Sequence, residues 1–136
     1  MDWKECLKRR IAKNVKKDLN LIKSTREIAE IKIRSAQALP KEFFIGKITL
    51  MYDALREYLE SLALEHGFKI YNHECYTAFL KEILGKSNEA DTFDKLRKVR
   101  NAINYYGRKV SEEEAKEILK ELNELIKKVK EEIKNA

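Results

Sequence analysis

One proline and four glycines are all that interrupt 136 residues. That scarcity excludes collagen-like, linker-rich and turn-rich β architectures. Cys6 and Cys75 are too few and too isolated for a disulfide framework or a zinc site. Both fall on apolar helical faces, where buried free thiols are expected. The histidines are equally sparse: His66 and His73 flank a turn, and neither has a partner at metal-ligand spacing. There is no Gly-rich phosphate loop, no Gly-x-Ser-x-Gly and no His-Glu-x-x-His. The expectation is therefore no metal and no cofactor. No apolar run approaches the ~18 residues of a membrane span, and the start Met1-Asp-Trp-Lys-Glu5 lacks a signal peptide's apolar stretch. A soluble cytoplasmic protein without membrane contact is expected.

What the chain does have is charge. It is 38% charged and 43% hydrophobic, a balance that suits a folded helical domain and excludes disorder. Its length allows one domain, spanning residues 1–136. The Lys and Glu load would also suit a thermophile. Residues 1–34 hold eleven Lys and Arg against five Asp and Glu, which accounts for the whole net charge of +6. A second concentration comprises Lys95, Arg97, Lys98, Arg100, Arg108 and Lys109. Such patches suit phosphate backbones, although solvated helix faces carry similar charge.

Periodicity predicts about five helices. The first is long and basic and covers roughly residues 1–39, with Trp3, Leu7, Ile11, Val15, Leu19, Ile22, Ala29, Ile33 and Ala36 at helical intervals, until Pro40. The second runs from about Lys41 to His66 and is stopped by Gly67. A short third helix is capped by Asn72 and ended by Gly85. Lys86 to Asp91 reads as a polar loop. A fourth helix spans about Thr92 to Tyr106 and stops at Gly107. The last opens on Ser111 and Glu114 as a capping box. Nothing alternates with period two for long enough to be a strand, so the fold expected is an all-α, up-and-down helical bundle.

The fourth helix carries the chemistry. Asp94, Arg97, Arg100, Asn101 and Asn104 share one side of it, and Phe93, Leu96, Val99, Ile103 and Tyr106 share the other. Two asparagines inside a helix cost stability, which points to work done by the polar face.

Residues 41–134 resemble the HEPN superfamily. The resemblance is carried by Met51-Tyr-Asp-Ala-Leu-Arg56, Gly67-Phe-Lys-Ile-Tyr-Asn-His-Glu74, Arg97-Lys-Val-Arg-Asn101, and Tyr105-Tyr-Gly107 leading into Val110-Ser-Glu-Glu-Glu-Ala115. It implies a bundle that dimerises through its signature helices. It also implies metal-independent ribonuclease ancestry and a small nucleotidyltransferase as partner in a toxin–antitoxin-type module. Active members place a histidine after a motif arginine with four to six residues between the two. Here Tyr105 and Tyr106 stand at those places counted from Arg100, and Ala102, Ile103 and Asn104 counted from Arg97. A phenol titrates near pH ~10 and an amide does not exchange a proton, so the proton-transfer half of the motif is missing.

The expected function is thus a homodimer that binds RNA or a partner protein through Arg97, Arg100, Asn101 and Asn104. Two alternatives stand beside it. One is an active ribonuclease with non-standard acid and base, for which Arg100, Asn104 and Tyr105 are the candidate catalytic residues. The other is a purely structural interaction module. His73 follows the cap of the third helix and is a possible neighbour of the motif helix, but the sequence assigns neither histidine a role.

Overall fold

The computed structural model describes residues 1–135. Among them are six α-helices: α1 (Trp3–Lys8), α2 (Leu19–Ala38), α3 (Phe44–Glu65), α4 (His73–Ala78), α5 (Ser87–Tyr106) and α6 (Glu112–Asn135), with a π-helical turn (Phe79–Ile83) continuing α4. Two three-residue strands, β1 (Ala12–Asn14) and β2 (Phe68–Ile70), pair antiparallel with Ala12 opposite Ile70. The protein is an all-α helical bundle with this small ribbon at one end. Helix α3 is its axis, with Tyr52, Leu55, Leu59 and Leu62 fully buried. Helix α2 runs antiparallel to α3: Arg26 pairs with Glu65, Lys32 with Glu57, and the Lys47 ammonium donates to the Ala36 carbonyl.

The expected single first helix is three elements. Helix α1 ends after Lys8, where Arg10 adopts a left-handed φ of 59°. The Ile11 N–H bonds the Cys6 carbonyl and the Arg10 N–H the Leu7 carbonyl, a helix-terminating pattern normally built on glycine. The chain then turns into β1, and α2 starts afresh with Asp18, whose carboxylate accepts from the Leu21 N–H at 3.1 Å. Trp3, Leu7 and Ile11 keep helical spacing through the break, and a strand of three residues is too short to show alternation.

Cys6 and Cys75 are not free thiols. They form a disulfide that ties α1 to α4 across 69 residues of sequence. The Lys86–Asp91 loop is also corrected: α5 begins at Ser87, because Ala90 and Phe93 both enter the core and draw the preceding turn into the helix. Elsewhere the punctuation stands. Gly67, Gly85 and Gly107 each follow a helical segment at positive φ. The Asn72 side chain accepts from the Cys75 N–H at 2.8 Å. Ser111 Oγ accepts from the Glu114 N–H at 3.1 Å, but the Glu114 carboxylate turns to Arg108 instead of closing the box. Among the described residues no helix is long and apolar enough to cross a membrane.

Candidate functional site

An open groove of about 380 Å³ lies between the first turn of α4 and the polar face of α5. Asn72, His73 and Glu74 form one wall; Arg97, Arg100, Asn101 and Tyr105 form the other. Three constraints set the first wall. Strand β2 feeds into it, the Tyr71 N–H donates to the Ile11 carbonyl at 2.8 Å, and Cys75 is anchored to α1. The second wall is held down by Phe93 and Leu96 on the opposite face of α5, both buried.

Arg100 is the central cation. Its side chain is only 17% exposed, and its one carboxylate neighbour among the described residues, Asp53, stands at 3.8 Å. The guanidinium lies over the Tyr52 ring at 5.2 Å and the Tyr105 ring at 5.4 Å. Its Nη1 donates to the Tyr105 hydroxyl at 3.2 Å and to Asn101 Oδ1 at a long 3.4 Å. The buried Nε has no hydrogen-bond partner among the described residues. Aromatic faces hold this charge in place without neutralising it. Asp53 at 3.8 Å offsets the guanidinium charge only in part, so the groove keeps a positive potential that suits an anion.

Arg97 differs. It donates to Asp94 through Nε and Nη2, at 3.2 and 2.8 Å, and Lys98 shares that carboxylate. Much of its charge is therefore answered within α5. Asn104 is exposed and does not line the groove, so the expected four-residue face reduces to Arg97, Arg100 and Asn101. Tyr106, expected on the apolar face, is 82% exposed. Tyr105 braces Arg100 from the solvent side.

His73 is what the sequence left without a role. Its Nδ1 stands 2.5 Å from the hydroxyl of Tyr52, which lies buried on α3, and the two rings stack at 5.5 Å. Burial, and then the Arg56, Arg100 and Arg97 charges, push its pKa down to about 4. Burial moves the Tyr52 phenol upward. Both groups are neutral at pH 7, and a neutral imidazole whose Nδ1 accepts from Tyr52 presents Nε2–H as a donor. The local signals for His73 were Asn72 as a cap and Tyr52 in the middle of α3. Only the tertiary arrangement puts Tyr52, His73 and Arg100 together.

Among the described residues no cluster of His, Cys, Asp and Glu could hold a metal ion. Compared with known proteins, the chain matches no family model, no curated protein and no solved structure. The HEPN likeness accordingly rests on the residues that carry it.

Proposed function

We propose that the α4–α5 groove binds the phosphodiester backbone of RNA. The observation that carries this reading is Arg100: mostly buried, oriented by two tyrosine rings, lining the groove, and only partly offset by Asp53, which stands at 3.8 Å and is shared with Lys32. A guanidinium can offer two parallel donors to a phosphate, and Asn101 and the His73 imidazole can add neutral ones. Arg97 adds positive potential at the rim. The groove's open shape fits a strand passing across it, where a small metabolite would be poorly enclosed.

Ribonuclease activity is the second reading, favoured by His73 standing in the same groove as two arginines. Attack by a ribose 2′-hydroxyl needs a base, an acid and a cation, and a proton carrier works best with a pKa near the working pH. At about 4, His73 is a weak base in the free protein. A bound phosphate would offset the arginine charges and raise that value. The margin still favours binding over cleavage. The HEPN resemblance extends the proposal to a homodimeric, cytoplasmic HEPN half of a module with a small nucleotidyltransferase.

Incubating the pure protein with labelled total RNA in chelator separates the readings. Retention of intact RNA that weakens steeply with salt supports binding. Cleavage products ending in cyclic phosphate, lost in His73→Gln, would establish the ribonuclease. The absence of both would leave the structural-module alternative.

A further inference from the structure

The outer face of α2 carries a pattern that the bundle does not use. Helix α2 packs inward through Ile22, Thr25, Ala29, Ile33 and Ala36, all buried. Nearly opposite, Leu21, Ser24, Ile28, Ile31, Ser35 and Ala38 recur at alternating spacings of three and four, and every one of them is exposed. This is a seven-residue repeat of the type that joins two helices along a seam. The three large members leave 42%, 48% and 53% of their surface in water. The two serines do not oppose burial. Ser24 Oγ donates to the Leu21 carbonyl and Ser35 Oγ to the Ile31 carbonyl, so both hydroxyl hydrogens are already placed within the helix. To an approaching helix they are small, largely satisfied residues that allow close contact.

The charges beside the seam specify its occupant. Glu27 and Arg34 flank it on one side, and neither makes an ion pair among the described residues. In an antiparallel pairing Ile28 of one copy meets Ile31 of the other. Glu27 then lies across from Arg34 of the second copy, and the two-fold axis repeats the pair. A parallel pairing instead sets Glu27 against Lys32 of the second copy, which Glu57 already engages at 2.6 Å. We infer that α2 is a self-recognition seam through which two copies of this chain pair antiparallel about a two-fold axis. The expected homodimer thereby gains a face other than the motif helix. The inference needs no RNA ligand and stands or falls apart from that reading. With about two and a half heptads, the seam is short and association should depend on concentration.

Sedimentation equilibrium over the micromolar range tests it. The wild-type mass should rise from 16.1 kDa toward twice that value. Ile31→Glu, at an exposed position, should remain at the monomer mass with unchanged helicity. Arg34→Glu should weaken pairing at least tenfold, and the double change Glu27→Arg with Arg34→Glu should restore it. A wild-type protein that stays monomeric, or a dimer indifferent to Ile31→Glu, overturns the seam. Failure of the double change to restore pairing overturns the antiparallel register, because a parallel seam would set the introduced guanidinium against Lys32.

Discussion

At the scale of single residues, the site sets a neutral histidine beside an arginine that Asp53 offsets only in part. Burial first, then Arg56 and Arg100, hold His73 at about 4, below its ordinary 6.5. Between those values the unfolded chain binds more protons than the folded one. Folding stability should therefore be fully present above pH 6.5 and decline as pH falls toward 4. Urea midpoints at about pH 7.5 and 4.5 check this: His73→Gln should lose less stability on acidification than the wild type. An equal loss in both would place the acid sensitivity elsewhere. Arg100→Ala removes one of the charges and should move the His73 titration upward, as read by imidazole proton shifts. A titration that does not move would mean that Arg100 and His73 do not share a field. Arg100 and Asn101 were legible as a polar face from helical spacing. The Tyr52–His73 contact was not, because it joins residues 21 apart on different elements.

At the scale of elements, the cap of α6 and the disulfide give separable predictions. Ser111→Ala removes the acceptor for the Glu114 N–H and should cost roughly 1 kcal/mol in denaturant unfolding. A change within measurement error would show the helix starting without that cap. The Cys6–Cys75 bond closes a loop of 69 residues, and chain-entropy arguments give such a crosslink roughly 4 kcal/mol. Replacing both cysteines with serine should lower stability by that order and loosen the α4 wall of the groove. A thiol assay in denaturant should find no free sulfhydryl in the native protein; two free thiols would contradict the bond. Helices α3 to α6 were legible, α5 but for its first turn, because their apolar spacing, Gly67, Gly85 and Gly107 agree with one another; α2 was legible in its end before Pro40 but not in its start. The amino-terminal break was not. Its left-handed position is Arg10, not glycine, and tertiary pairing with β2 outweighs local periodicity there. The disulfide was missed for a related reason, since two cysteines on separate helices show their proximity only once the bundle is assembled.

At the scale of the whole molecule, the bundle sets an open groove on one face and leaves exposed apolar side chains along α2. Lys32 and Arg100 both reach Asp53, at 4.0 and 3.8 Å, so a single carboxylate on α3 lies between the two regions. RNA binding at the groove turns on one guanidinium, that of Arg100. Its most direct test is RNA affinity measured for wild type, Arg100→Ala and Arg100→Lys, with melting curves on the same samples. Arg100→Ala should lose at least tenfold, equivalent to ~1.4 kcal/mol, and Arg100→Lys, which keeps charge without the fork, should show a smaller but clear loss. Melting temperatures should stay close to wild type, because Arg100 forms no tight ion pair to lose. Undiminished RNA affinity in a folded Arg100→Ala protein would contradict phosphate binding at this guanidinium.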